Sequence, residues 1–410
     1  MQKIDTQYFN LLSPKTERRK IKLGLSRIKN AIIQLKNPCI NTPAIQIIGT
    51  NGKGSITAFM ENILYFAEIN TGVTTSPHMF DVRERIRVNK KSINKIEFEK
   101  QFAYVMSEVE EFELSPFELI ICCGLKYFDL KQVDLILLEA GLGGRLDATT
   151  GHRYRPIIAI GNIGLDHKEY LGNSIEKITQ EKLAVVQNNS FVISCRQNRK
   201  VEEVINKKVK EVGAKIFWVN KLEANLELGL NGSFQRENAA VAVGVMNRLN
   251  KLGWHIKTGD IKKGLASTKW PGRLEMINWG ENKILVDSAH NPSAAAALAK
   301  ERNLWENQER GIYWILGVQK HKDISSIIKI LVKPVDRVLL VPIPNQESWG
   351  INDLRYISDL EYENIIEFNS LIDALKYLDE IKIWGNYNPV ITGSIFLVSE
   401  FLKLVKNFSK

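Results

Sequence analysis

A chain of 410 residues, 44% hydrophobic and 25% charged, is long enough for two domains and has the composition of a soluble globular protein. Its net charge is +10, but the lysines alternate with acids ("KKSINKIEFEK", "INKKVKEVGAK") and no basic block is interleaved with aromatics, which argues against nucleic acid as a partner. No charge-free apolar run of about 18 residues implies a membrane span, the first twenty residues lack the apolar centre of a secretory signal, and Cys39, Cys122, Cys123 and Cys195 lack metal-ligand spacing, so the expectation is a cytoplasmic monomer with reduced, buried thiols.

In chain order, "AIQIIG" predicts a strand, "GTNGKGS" a glycine turn and "SITAFMENILYFAEI" a helix. There follow strand "TGVTTS", helix "PFELIICCGLKYFDLK", strands "VDLILLEA", "IIAIGNI", "SFVISC" and "KIFWVN", and helix "ENAAVAVGVMNRLNKLG". Pro271, Gly272 and Gly280 mark a hinge near 272–282. Beyond it, "KILVDSA", helix "PSAAAALAKERNLWE", "GIYWILG", "VDRVLLVP" and "NPVITGS" start a fresh strand–helix series. Continuous apolar strands alternating with amphipathic helices predict α/β architecture with mainly parallel sheets. The expected domains are 1–275 and 276–410.

Strand, glycine turn, lysine, hydroxyl residue and helix in sequence make a phosphate cradle. Successive backbone N–H groups and the positive helix end face the anion, and the lysine adds a point charge. Gly49, Gly52 and Gly54 permit the tight backbone, Lys53 reaches the β/γ-phosphates and Ser55 ligates Mg²⁺; an ordinary strand-to-helix turn is the alternative. Glu139 ends an apolar strand, where a carboxylate serves either a ligand or a structural ion pair. His167 follows another strand and reads equally as a loop residue; Lys182 reads as a helix lysine.

"GTNGKGS", "TTSPHMFDVRERIRVN", "LILLEAGLGGRLDATT", "NIGLDHKEYLG", "EKLAV", "QRENAAVA", "WPGRLEMI", "DSAHNPSAA" and "VITGSIF" resemble, in order, the motifs of the folylpolyglutamate synthase and dihydrofolate synthase family, a branch of the Mur-ligase superfamily. The resemblance implies an N-terminal P-loop ATPase domain carrying a folate pocket and a smaller Rossmann-like C-terminal ligase domain. It implies ATP held by Gly49, Thr50, Asn51, Gly52, Lys53, Gly54 and Ser55, with Asn238 towards the adenine, Arg273 and His290 on phosphates and Asp287 on the ribose. One Mg²⁺ would sit on Ser55 and Glu139, and a second on His167 and a carbamylated Lys182, with Asp166 orienting the loop; K⁺ is allowed as a further cation. The acceptor would lie along Ser76, Pro77, His78, Phe117, Arg145, Asp147 and Ala148, though Phe117 also suits core packing. Thr150, Phe234, His321 and Ile121 depart from common family residues.

The implied reaction is ATP-dependent ligation of L-glutamate to dihydropteroate, to reduced folates bearing glutamate, or to both, through an acyl phosphate. Lys53, His167 and Lys182 would be catalytic, and domain closure would complete the site. The alternatives are a monofunctional folylpolyglutamate synthase and a Mur-type ligase acting on a cell-wall precursor.

Overall fold

The computed structural model describes residues 23–305, 311–354, 364–381 and 389–408. The chain divides into two compact units: Met1–Gly229 with Gln235–Lys269, and Leu230–Phe234 with Trp270–Lys410.

The first unit is built on eight strands: β1 (Ala44–Ile48), β2 (Thr71–Thr74), β3 (Ile86–Val88), β4 (Lys91–Ser92), β5 (Leu135–Glu139), β6 (Ile157–Ile160), β7 (Phe191–Cys195) and β8 (Lys215–Val219). Their spatial order is β4-β3-β2-β5-β1-β6-β7-β8. Six run parallel, from β2 to β8, and β3 and β4 add an antiparallel edge. β1 and β5 are buried at every position, as strands covered on both faces must be. One core gathers β5 with the helices Lys95–Val109 and Pro116–Leu130; another gathers β6 and β7 with Ile175–Leu183 and Arg199–Val212. All four cysteines are buried and unbridged. Burial pushes the Cys39 and Cys195 thiols up to about 12 and those of Cys122 and Cys123 higher.

The second unit carries β9 (Glu275–Trp279), β10 (Asn282–Val286), β11 (Tyr313–Leu316), β12 (Arg337–Leu340), β13 (Ile365–Glu367) and β14 (Val390–Thr392) in the order β13-β12-β11-β14-β10-β9. Only β9 is antiparallel. Its buried hub is Asp336, which accepts from both terminal nitrogens of Arg302 (2.5 and 2.7 Å), the Trp314 indole (3.0 Å) and the amides of Ile312 and Lys333.

The ten strands expected from the sequence are all present; β3, β4, β9 and β13 are additional. The expected domain limit at 275/276 needs correction, because β9 pairs with β10 residue by residue, so Glu275 belongs to the second sheet and the first unit stops at Lys269. Among the described residues, no helix is long and apolar enough to cross a membrane.

Candidate active site

In the first sheet β1 lies between β5 and β6, so the chain leaves it in one direction towards β2 and β5 and in the other towards β6. That reversal opens a crevice beyond the carboxyl ends of the strands. Gly49–Gly52 turns there into the helix Lys53–Phe66, with Gly52 in the left-handed region (φ 84°) as its N-cap. The turn is braced by the next strand's exit: Thr50 and Asn51 N–H donate to the Asn162 carbonyl (2.7 and 3.0 Å), and Gly161 N–H to Ile48 (2.8 Å). The Thr50 hydroxyl donates to Gly164 O and accepts from Gly164 N–H. A Cβ on Gly161 would stand 2.5 Å from the Asn51 carbonyl, so this bracing residue must also be small.

Two ammonium groups meet at one carbonyl of this turn. Lys53 Nζ donates to Gly49 O (3.1 Å) and Thr50 O (3.3 Å), and Lys182 Nζ, from the helix Ile175–Leu183, donates to the same Gly49 O (3.0 Å). Lys182 is 5% exposed, so it is not the solvated helix lysine that its sequence neighbourhood permits. Glu139, also buried, ends β5 in register with Ile47 of β1, two residues before the turn. Ser55 is buried in the first turn of the helix Lys53–Phe66. His167 takes a left-handed backbone (φ 48°) ahead of the short helix Lys168–Leu171. Its amide donates to Asp166 (2.9 Å), whose carboxylate thereby shapes the loop.

Asn238 stands against the turn itself: a Cβ on Gly52 would overlap its carboxamide, which also donates to Gln235 (2.9 Å). The Gly52→Ala chain is expected to bind ADP on the order of a hundredfold more weakly in calorimetric titration, since both the positive φ and the overlap oppose the methyl.

The stretch after β5 folds back onto Lys182. Arg145 N–H donates to Glu181 O (2.9 Å) and its guanidinium pairs with the Glu181 carboxylate (3.0 Å). A Cβ on Gly144 would overlap the Lys182 carbonyl oxygen. Asp147 serves its own loop, accepting from Leu142 N–H (2.8 Å) and Thr149 N–H (3.0 Å); burial raises its pKa, opposed by these bonds. Thr149 and Thr150 accept from Gln46 in β1. Ala148 is in the core, and Phe117 packs at the core edge against Gly141.

On the far side of β5, Ser76 and Pro77 join through a cis peptide, and His78 Nδ1 accepts from buried Arg85 Nε (3.0 Å). The Glu84 carboxylate gathers the amides of Met79, Phe80 and Asp81. Of the first-unit residues that the resemblance pointed to, Gly49–Gly52, Ser76–His78, Glu139, Arg145–Ala148 and His167 lie at strand ends or in the loops that follow them, and Lys53, Ser55, Phe117, Lys182 and Asn238 lie on helices. Gly144, Glu181 and Asn162 lie inside the quoted motifs but had no role assigned from the sequence, and Gly161 lies just outside one; their part in bracing the turn and the Lys182 helix emerges only from the fold.

In the second unit, Asp287 and His290 leave β10 beside β14. Asp287 accepts from Leu274 N–H (3.0 Å) and Ala289 N–H (2.9 Å). Burial raises its pKa, offset by the charges of Arg273 and His290. His290 Nδ1 is 2.9 Å from Ser288 O, and Asn291 caps the helix Pro292–Arg302.

Residues 273–404 match the family model described as dihydrofolate synthetase, C-terminal domain. The chain is 30% identical to the dihydrofolate synthetase of Saccharomyces cerevisiae, over 80% of this chain and 83% of that one. It is 29% identical to the dihydrofolate synthase/folylpolyglutamate synthase of Bacillus subtilis, over 76% and 79%. In fold it is similar to a bifunctional folylpolyglutamate synthase/dihydrofolate synthase from Yersinia pestis complexed with AMPPNP and Mn ion, with TM-score 0.82, 24% identity and 94% of each chain covered.

Proposed function

Because the chain belongs to the dihydrofolate synthase/folylpolyglutamate synthase family, we propose that it is an ATP-dependent ligase that joins L-glutamate to dihydropteroate and to folates already bearing glutamate. The observation that carries this reading is the meeting of Lys53 and Lys182 on the Gly49 carbonyl, at the exit of β1 and next to that of β5, where Glu139 stands.

A carboxylate acylates poorly until its oxygen is converted into a good leaving group. The acceptor carboxylate attacks the γ-phosphorus of ATP, releasing ADP and leaving an acyl phosphate. The amine of glutamate then displaces phosphate and gives up a proton as the amide forms. The amides of Thr50 and Asn51 are already given to Asn162, so the phosphates are held at the start of the helix Lys53–Phe66, and Lys53 exchanges its carbonyl contacts for the phosphate oxygens as charge gathers on the transferred group.

Ser55 and Glu139 offer a hydroxyl and a carboxylate oxygen. That donor set fits Mg²⁺, which takes few protein oxygens and completes its shell with phosphate and water. Among the described residues no three His, Cys, Asp or Glu side chains converge into a closed metal cage, as expected for an ion held in part by substrate. Such an ion, when bound, neutralises phosphoryl charge. An ammonium has no lone pair for a metal, so Lys182 joins His167 as a ligand only after capturing CO₂ as a carbamate. Burial, by disfavouring the charged amine, supports that capture. The Gly144–Arg145 contacts set the helix end from which Lys182 projects. His78 accepts from Arg85 at Nδ1, so its ring N–H lies on Nε2, the nitrogen that would donate to the acceptor.

The deciding measurement is ADP release with and without L-glutamate, offering dihydropteroate and a reduced folate separately. Glutamate-dependent release with both is expected. Release with only the reduced folate would restrict the enzyme to polyglutamate extension, and release with neither would remove the folate assignment.

A further inference from the structure

At the edge of the first sheet opposite the phosphate turn, the chain enters β1 and β6. Ala44 N–H there donates to the Tyr154 carbonyl (2.9 Å), and the rise along β1 places this edge about 16 Å from Gly49. A shallow cleft, open to solvent, lies here between the helix Ser26–Gln34 and the 151–153 turn. Its walls include Lys29, Ile33, Asn37, Ile40, His152 and Arg153, and they carry no acid.

Lys29 and Arg153 are exposed and form no ion pair among the described residues. Ile33 and Ile40 are more than half exposed, an unusual state for two isoleucines beside one cleft. Behind His152 lies Arg155, 5% exposed, whose Nη1 donates to the carbonyls of Thr150 and His152 and whose Nε has no acceptor among the described residues. A buried guanidinium is ordinarily matched by a carboxylate. None stands beside Arg155 among the described residues, and burial pulls its pKa down to about 10. Burial also holds the His152 ring neutral, with its pKa down to about 4, while Nε2 lies 3.0 Å from Thr42 O. Among the described residues, the cleft and the Arg155 guanidinium behind it therefore combine positive charge unmatched by any acid with exposed apolar surface.

We propose that this cleft is a second ligand site, separate from the ligase site, for a small organic anion that carries its carboxylate on an apolar body. The carboxylate lies between Lys29 and Arg153 with the charge of Arg155 behind it, and the apolar part covers Ile33 and Ile40. Neither ATP nor glutamate is required for this binding, so it stands independently of the ligase reading.

4-Fluorobenzoate, followed by ¹⁹F NMR during titration against the full chain, is a suitable probe. Saturable binding is expected, with neutral 4-fluorobenzamide binding far less. The K29A/R153A variant should weaken the benzoate roughly tenfold through loss of two charge contacts, while ADP release at saturating substrates stays unchanged. The phosphate turn also attracts anions, so the variant decides the location: undiminished binding would overturn the proposal. Absence of saturable binding by the natural chain, or equal binding of the amide, would overturn it as well. If the double variant lost ADP release, R153A alone would decide by the same comparison.

Discussion

Replacing Lys182 by methionine is expected to lower glutamate-dependent ADP release by about three orders of magnitude, while the protein keeps its fold. Methionine approximates the volume of the lysine stem, so the packing of the helix Ile175–Leu183 survives, but the nitrogen that reaches the Gly49 carbonyl is gone. Loss of one preorganised charged group at a phosphoryl-transfer site costs on the order of a hundred- to a thousandfold in turnover, and the proposed carbamate ligand would go with it, which places the result at the upper end. Steady-state assays with dihydropteroate, alongside ADP titration, check this. Turnover should collapse while the ADP dissociation constant changes less than about tenfold, because the glycine turn and Lys53 remain. Turnover within tenfold of the natural chain would remove Lys182 from the mechanism.

The second large effect is on stability. Asp336→Ala removes the acceptor shared by Arg302, the Trp314 indole and two amides, leaving a guanidinium that is 1% exposed without its counter-charge. Breaking a buried pair from one side costs roughly 3–5 kcal/mol, a large part of what a domain of this size has to spare. Calorimetry of the full chain should show a transition moved down by several degrees, and urea unfolding an earlier midpoint. The double replacement Arg302→Met with Asp336→Leu should recover part of the loss, since it strands no charge. An unchanged melting profile for Asp336→Ala would contradict the role given to this hub.

How much could be read in advance depended on how locally each feature is encoded. Continuous apolar runs such as "LILLE" and "IIAI" announce central parallel strands because burial on both faces leaves no room for polar alternation. β3 and β4 are short and charged, and β13 is three residues long, so neither periodicity nor composition marks them. β9 alternates half-buried with exposed residues beside Pro271, Gly272 and Gly280, and so reads as hinge. The glycine turn at the strand–helix junction was legible from its own glycines, lysine and hydroxyl. Lys182 was not: its burial comes from the fold, and only the resemblance singled it out. Arg145 shows the same limit. Its motif suggested an acceptor contact, whereas its partner Glu181 is 36 positions away and visible only once the chain is folded.

The bridge between Asn51 and Asn162 ties the glycine turn to the segment leaving β6, more than a hundred residues later. The loop's shape is therefore a property of two distant segments, and neither segment is a portable module. Transplanting "GTNGKGS" alone into a related scaffold should give a turn that collapses or gapes, whereas moving residues 161–164 with it should carry the cradle across. Drift in either segment is consequently tolerated only when the other drifts with it.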